Sequence, residues 1–170
     1  FSASRNSDLS FVGHLRAYQD LTENTNLEIG YSHARGHNEL GHEYLTKLHG
    51  IDVSLRWKPL IRSTYNSFLW RTECVWSRRD QLPKQERSFG WYSSLDYRLN
   101  HRWTMGARFD ASERASFANQ RDRGASALLT YWMSEFSQVR GQYRATRYYG
   151  DRDTRELRLQ LVFIMGAHGA

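Results

Sequence analysis

The stretch Glu156-Leu157-Arg158-Leu159-Gln160-Leu161-Val162-Phe163 alternates polar and apolar side chains from Glu156 to Leu161. A period of two is typical of a β-strand, in which successive side chains point to opposite faces of the sheet. An amphipathic helix would instead repeat its apolar residues at every third or fourth position. The stretch therefore predicts a strand with one apolar face and one polar face.

The same alternation recurs toward the N-terminus. The segments that carry it are 9–19, 25–35, 50–57, 67–76, 89–99, 103–110, 125–133, 139–146 and 157–163. They predict about nine antiparallel strands of about 10–15 residues, whereas typical strands have about five or six residues. The predicted fold class is therefore all-β.

The polar connections between these segments alternate in predicted length. The expected short turns are Asp20–Asn24, Lys58–Arg62, Asn100–His101 and Ser134–Glu135, and the expected longer loops are Gly36–His42, Arg78–Glu86, Ser112–Arg121 and Gly150–Thr154. Short turns at one end and longer loops at the other are typical of an antiparallel, up-and-down transmembrane β-barrel. The connections thus favour a barrel that crosses a membrane with its strands.

The composition is consistent with this interpretation and excludes others. Aromatic residues make up 14% of the chain, but the mean hydropathy is −0.75 and no apolar run approaches the roughly 20 residues of a spanning helix. The single cysteine, Cys74, excludes a disulfide scaffold and a multi-cysteine zinc site. The sequence contains no Gly-rich phosphate loop and no positioned catalytic triad, so we do not expect an enzyme.

The N-terminal residues indicate an incomplete barrel. Phe1-Ser2-Ala3-Ser4-Arg5 lacks a basic segment followed by an apolar run, so we expect no signal peptide in this chain. Phe1–Ser4 is typical of the tail of an earlier strand, and Arg5–Asp8 of the loop after it. We therefore expect residues 1–170 to form a single β-barrel domain, the C-terminal fragment of a larger barrel with strands missing at the N-terminus.

Periodicity alone does not decide which row faces the interior, since a soluble β-sandwich or barrel turns its apolar row inward. Opposite charges at similar depth, such as Asp52 with Arg56, favour a wet interior. Aromatic residues gather near strand ends, as in the interfacial girdles of membrane barrels. These are Trp57, Trp76, Trp91, Trp103, Tyr148 and Tyr149. The strand lengths also match a tilted crossing of a bilayer, so we expect the apolar row to face lipid.

The final segment, Glu156–His168, resembles the closing strand of Gram-negative outer-membrane β-barrels. In that family the last strand alternates and usually ends on an aromatic residue that the barrel-assembly machinery reads, whereas this chain stops at Ala170. The resemblance implies location in the bacterial outer membrane. It also implies the barrel-assembly machinery, outer-membrane lipid and lipopolysaccharide as partners, with no cofactor.

The polar row supplies the candidate functional residues. The predicted lumen-lining residues are Arg16, Asp52, Arg56, Arg71, Glu73, Asp96, Arg98, Arg108, Asp110, Arg140, Arg144 and Arg158. Cations distributed along a narrow aqueous passage lower the barrier to anions, which predicts a porin-like channel for passive diffusion of small polar or anionic solutes. The alternatives are the C-terminal barrel part of a TonB-dependent receptor and a non-conducting structural or adhesion barrel, in which the same charges form a structural lattice.

Two further groups of residues are candidates for binding. His33, His37 and His42 could hold a divalent metal with Glu39 and Glu43, but a polar loop at a solvated rim is the favoured explanation, so we expect no metal site. Basic residues near the longer loops could bind lipopolysaccharide phosphates or form a solvated rim. They are Arg78, Arg79, Lys84, Arg87, Arg114, Arg121, Arg123, Arg147, Arg152 and Arg155. Despite a net charge of +6, we expect no nucleic-acid binding, because the cations are dispersed and interleaved with carboxylates.

Overall fold

The computed structural model describes residues 1–2, 5, 7–61, 65–150 and 152–164. These residues form strands β1 (Phe11–Thr22), β2 (Thr25–Asn38), β3 (Gly41–Trp57), β4 (Ser67–Arg79), β5 (Glu86–Arg98), β6 (Trp103–Arg114), β7 (Phe117–Ser134), β8 (Ser137–Tyr148) and β9 (Arg152–Phe163). Across these residues, no helix of sufficient length and apolar character to cross a membrane is found.

The strands form one antiparallel sheet in the order β1-β2-β3-β4-β5-β6-β7-β8-β9. Each strand pairs with its neighbours in sequence, because a short connection returns the chain directly alongside the strand that it has just left. The described strands contain 12 to 18 residues. The prediction of an all-β, up-and-down fold with about nine long strands is therefore confirmed.

The sheet is open in the described residues. Strand β1 pairs only with β2, and β9 pairs only with β8. Each of these edge strands therefore has backbone N–H and C=O groups that point away from the sheet without a strand partner.

The connections differ from the predicted alternation of short and long. Residues Glu39–Leu40 and Ala115–Ser116 form two-residue connections in place of the predicted loops Gly36–His42 and Ser112–Arg121. The strands continue through polar sequence there, because ladder hydrogen bonds use backbone groups and do not require apolar side chains. The predicted short turn Lys58–Arg62 lies instead within the longer connection 58–66.

Some of the predicted segments extend beyond the described residues. The positions outside them are 3, 4 and 6 of the expected N-terminal strand tail and loop, 62 of the second short turn, 151 of the last loop and 165–168 of the closing strand. At the N-terminus, the backbone N–H of Ser2 donates to the carbonyl oxygen of His37 at the end of β2, at 2.9 Å.

The two faces of the sheet differ in a way opposite to that of a soluble protein. Among the described residues, Ala111 is the one buried hydrophobic residue. Most of the buried side chains are polar and include Ser88, Ser126, Thr130 and Thr146. On β7, Leu129 is 47% exposed while the next residue, Thr130, is 3% exposed. We call the face that carries Leu129 the apolar face and the face that carries Thr130 the polar face; the sheltered face is the polar one.

The sheet bends toward its polar face at β6. Cα atoms of β5 and β7 approach within 8 Å, whereas strands two apart in a flat sheet are about 9.6 Å apart. At Gly106, on the polar face, a Cβ atom would lie 2.6 Å from Asp96 Oδ1 and 3.5 Å from Leu128 Cβ. On the apolar face, by contrast, a Cβ at Gly13 would meet nothing within 4 Å. The absence of a side chain at Gly106 thus allows the polar surfaces of neighbouring strands to converge.

Candidate functional site

The strand register places all of the predicted lumen-lining residues on the polar face. One register row contains Arg16, Asp52, Glu73 and Asp110. The rows that follow contain Arg71, Arg108 and Arg144, then Arg56, Asp96 and Arg158, then Arg98 and Arg140. Since the period of a strand is two, residues in these rows all point to the same side.

The tightest group of charges on this face is centred on Asp110 of β6. Arg144 of β8 donates from Nη1 and Nη2 to the two carboxylate oxygens of Asp110, at 3.1 and 2.9 Å. Arg108 Nε lies 3.5 Å from Asp110 Oδ1, and the Arg108 guanidinium carbon lies 4.2 Å from the centre of the Tyr92 ring. Two cations thus share one carboxylate, which leaves a local excess of positive charge.

The contact between Arg144 and Asp110 crosses an intervening strand. Gly124 of β7 lies between these residues in the sheet, and a Cβ there would be 2.6 Å from Arg144 Nη2. The side chains of Arg144 and Asp110 are only 24% and 22% exposed. A partly buried, bidentate pair of this kind is stronger than an exposed surface pair, because the geometry is fixed and water screens it less.

Other ion pairs extend along the polar face. Arg71 Nη2 lies 2.9 Å from Asp96 Oδ2, Arg16 Nε lies 2.8 Å from Glu28 Oε1, and Arg158 pairs with Glu156. Glu28 and Glu156 were not among the predicted site residues. The two-residue spacing of Glu156 and Arg158 could have revealed that pair, since it puts both on one face of a strand.

Several predicted residues make no ion pair with any described residue. Arg56, Arg98, Asp52 and Glu73 belong to this group. Arg140 donates instead to Thr130 Oγ1 at 3.1 Å. The face therefore combines ion pairs, the tightest of which join β6 and β8, with charges on β3–β5 that make no ion pair with a described residue.

The apolar face carries aromatic residues near both ends of its strands. Trp76 packs on Phe89 with ring centroids 5.3 Å apart, and Trp103 packs on Tyr131 at 4.7 Å near the opposite end. On β4, Phe68 and Trp76 mark the two levels, roughly 26 Å apart along an extended strand. Register also places Trp57 and Trp91 on this face, whereas Tyr148 lies on the polar face.

The predicted metal candidates are not brought together. His33 stacks on His49 with ring centroids 4.7 Å apart, and His49 shares a hydrogen bond with Tyr31 Oη at 2.8 Å. Nδ1 of His33 and of His37 is buried with no hydrogen-bond partner, and His42 is half-buried at the start of β3. Within the described part of the chain, no three potential ligand residues are close enough to hold a metal ion.

An ion pair links the β2–β3 connection to the end of β4. Arg79 at the end of β4 pairs with Glu39 in the connection. The hydrogen bond from the Arg79 guanidinium lowers the pKa of the Glu39 carboxyl below its usual value, because it stabilises the charged form.

Comparison of this chain with protein-family models, with curated proteins and with solved structures finds no match.

Proposed function

We propose that this sheet is part of the wall of a bacterial outer-membrane β-barrel and that its polar face lines an aqueous passage for small polar or anionic solutes. The observation that carries this proposal is the inversion of the faces. Thr130 is 3% exposed beside Leu129 at 47%, so that the side of the sheet rich in apolar residues is the side left open.

The exposed apolar face requires a cover. Phe109, Leu129 and Tyr143 are each about half exposed on interior strands of the sheet (56%, 47% and 46%). Burying a large apolar side chain contributes about 1.5–3 kcal/mol relative to exposure in water, so a continuous uncovered face is unfavourable in an aqueous setting. Acyl chains remove this penalty without any further protein.

The ends of the apolar face favour lipid over a second packed sheet as this cover. Aromatic pairs lie at both ends, Trp76 with Phe89 and Trp103 with Tyr131. Amphipathic rings at two levels are the arrangement of the girdles at the two interfaces of a bilayer. The interior of a β-sandwich does not require aromatic residues at two separate levels.

A membrane setting also requires the sheet edges to be paired. The outer edges of β1 and β9 carry backbone groups without a strand partner in the described residues. Each such group would cost several kcal/mol in hydrocarbon, so the assembled barrel must supply strands to both edges. We propose closure through additional strands of the complete protein.

The charges that make no ion pair on the polar face support a conducting interior. Arg56 and Arg98 form no ion pair with described residues and stand at the side of the sheet where Asp52 and Glu73 also lack cationic partners. Cations that make no ion pair attract anions into an aqueous passage, and the nearby carboxylates weaken that preference.

One observation favours a second candidate, a non-conducting structural barrel. The cluster of Arg108, Asp110 and Arg144 links β6 to β8 and is mostly shielded from solvent. A lattice of such pairs can rigidify a barrel and fill its interior. Recording single-channel currents from the complete protein in planar bilayers separates the two: discrete conductance steps support the passage, and an electrically silent, folded barrel supports the structural role.

The orientation of the faces is tested with adjacent cysteines. In a Cys74→Ser background of the complete protein in lipid vesicles, Ser94→Cys and Leu95→Cys place thiols on opposite faces of β5. We expect a charged, water-soluble maleimide to label the first, and a nitroxide lipid to quench a fluorophore attached to the second. Equal labelling of both thiols from water would contradict the proposal.

A further inference from the structure

We infer that the apolar face carries a binding site for a phosphorylated lipid at the end of the sheet where the β6–β7 and β8–β9 connections lie. This inference rests on the proposed membrane location and names a specific lipid partner for that face. The site is a depression of about 620 Å³. Four arginines, Arg121, Arg123, Arg147 and Arg155, are among the residues that line it.

The floor of this depression is made by small side chains. Ala125 and Ala145 lie directly opposite each other on β7 and β8, and Phe109 and Arg155 flank them in the same register row. Because alanine leaves the space between larger neighbours empty, a groove runs down the face toward the apolar band. Such a groove suits the acyl chain or sugar of a lipid whose charged group lies at the arginines.

The arrangement of the arginines favours binding of an anion. Arg123 and Arg147 are directly opposite each other on β7 and β8, and like charges in this position are destabilising. Arg147 is compensated by Asp153, whose Oδ1 lies 3.1 Å from Arg147 Nε. Among the described residues, none forms an ion pair with Arg121, Arg123 or Arg155. A phosphate can accept bidentate hydrogen bonds from two guanidinium groups at once.

A second row of cations at the same end of the face strengthens this inference. Arg35, Lys47, Arg78 and Arg87 occupy directly opposed positions on β2, β3, β4 and β5. Four adjacent cations in one row repel one another, and none makes an ion pair with a described residue. Beneath them, two positions along each strand, are the rings of His33, His49, Trp76 and Phe89. This is the order of layers expected where phosphates meet an aromatic girdle.

Arg87 and Arg155 lie at one depth if the strands are tilted. The register row of Arg155 crosses β5 at Ser93, about 20 Å along the strand from Arg87, while β5 and β9 are about 19 Å apart across the sheet. A line through Arg87 and Arg155 therefore makes an angle of roughly 45° with the register rows. Strands of membrane barrels tilt by about 35–45°, so these two cations lie at about the same depth in a membrane. The row of Arg35, Lys47, Arg78 and Arg87 follows the register and is inclined to the membrane plane.

The carboxylates on this part of the face are fewer than its cations. Glu113 of β6 lies opposite Arg121 in the register and uses Oε2 to accept the backbone N–H of Phe89 at 2.8 Å. Asp153 pairs with Arg147, and Glu43 lies near the start of β3. The opposite end of the apolar face is uncharged at its strand positions, with Trp57, Phe68, Tyr97 and Trp103 in the corresponding places. This difference in charge between the two ends favours a location of the cationic end in a leaflet rich in anionic lipid.

The test uses the complete protein folded in zwitterionic detergent micelles, with bisphosphorylated lipid A as the probe. Binding is measured by native mass spectrometry and by titration calorimetry. We expect saturable binding by the wild type, and affinity weaker by about tenfold or more for Arg123→Gln with Arg155→Gln, because charge-assisted hydrogen bonds are lost. The matched control, Arg56→Gln with Arg98→Gln, removes the same charge from the polar face and should bind as the wild type does.

Two further arms identify the source of the phosphate and guard against misfolding. Dephosphorylated lipid A should bind poorly, and inorganic phosphate at the same concentration should not displace the lipid. Ala125→Leu keeps every charge and fills the groove, so it should also weaken binding. Equal affinity of the wild type and the Arg123–Arg155 double variant, or equal affinity for the dephosphorylated lipid, would overturn the inference. Because the assay needs neither insertion nor conductance, it can fail while the channel proposal stands, and the converse also holds.

Discussion

Arg144 on β8 and Asp110 on β6 are joined by two hydrogen bonds, at 3.1 and 2.9 Å, that pass over Gly124 of the strand between them. The pair links strands that share no backbone hydrogen bonds. It is possible only because position 124 has no side chain. One glycine thus determines how charges on three strands are distributed.

Substitution Gly124→Ala should uncouple this ion pair. The new Cβ would lie 2.6 Å from Arg144 Nη2 and 2.8 Å from Asp110 Oδ2, so both flexible side chains must move apart. A double-mutant cycle of Asp110→Ala and Arg144→Ala should give a coupling of about 1–2 kcal/mol in the wild type and nearly none in the Gly124→Ala background. Denaturant unfolding measures each corner of the cycle.

The control for this cycle is Gly141→Ala on β8. A Cβ at position 141 would have Leu159 Cδ2 as its nearest neighbour, at 3.7 Å, which is an ordinary contact. The coupling between Asp110 and Arg144 should persist in that background. An unchanged coupling in Gly124→Ala would mean that the contact over the glycine is not what holds the pair.

Asn38 should be important for the β2–β3 connection. This residue is 3% exposed; its Nδ2 donates to the Asp80 carbonyl oxygen at 2.9 Å, and its Oδ1 accepts from Leu40 N–H at 3.0 Å. Asn38→Ala leaves both partners without these bonds and should destabilise the fold by about 1–3 kcal/mol. Hydrogen exchange of the Leu40 amide, followed by mass spectrometry, should accelerate in the same variant.

Asn38→Asp provides the comparison. It keeps an acceptor for the Leu40 amide but replaces the donor to Asp80 with an oxygen. Protection of the Leu40 amide should therefore be retained while stability falls. Equal protection in Asn38→Ala and in the wild type would contradict the role of this side chain in the turn.

The stabilising effect of Glu39 should depend on pH in a defined direction. The Arg79 hydrogen bond lowers the pKa of Glu39 in the folded protein, so the charged carboxylate favours folding. This contribution is present above the pKa of the unfolded chain and is lost as the pH falls through the lower pKa of the folded state. The stability difference between the wild type and Glu39→Gln should therefore shrink at acidic pH.

NMR titration of the Glu39 side-chain carbon checks the pKa directly, and Arg79→Gln should move it back toward the ordinary range. Glu43→Gln is the charge-matched control, since the exposed Glu43 makes no ion pair with a described residue. A wild-type titration unaffected by Arg79→Gln would show that another group is responsible.

The strands and their faces were predictable from the sequence because both follow from a local period of two. Arg16, Asp52 and Arg144 were assigned to one face by alternation alone, and the register places them on the same face of the sheet. Connection lengths were harder, because polar residues such as Ser112 and Arg121 occur equally well in loops and in exposed strand ends.

Contacts between strands could not be predicted in the same way. The opposition of Arg123 and Arg147, or of Lys47 and Arg78, depends on register. Register in turn depends on the exact residues at which the turns fall. The sequence showed basic residues near the connections, but it did not show that four of them lie side by side on neighbouring strands. The predicted set of basic residues therefore lacked Arg35 and Lys47.

Arg56 and Arg98 should determine the charge selectivity of the proposed passage. Arg56 and Arg98 lie on the polar face and make no ion pair with a described residue. Replacing both by Gln should reduce the anion preference, because the carboxylates of Asp52 and Glu73 then act with less opposition. The reversal potential of the complete protein in planar bilayers under a potassium chloride gradient measures this change. The shift should be large at about 0.01 M salt and small at about 1 M, since the screening length falls from about 30 Å to about 3 Å.

Arg123→Gln with Arg155→Gln, which removes the same charge from the apolar face, should leave the reversal potential unchanged. A similar shift from both double variants would mean that net charge, and not the polar face, controls selectivity, because only residues that line the path act on the ion at close range.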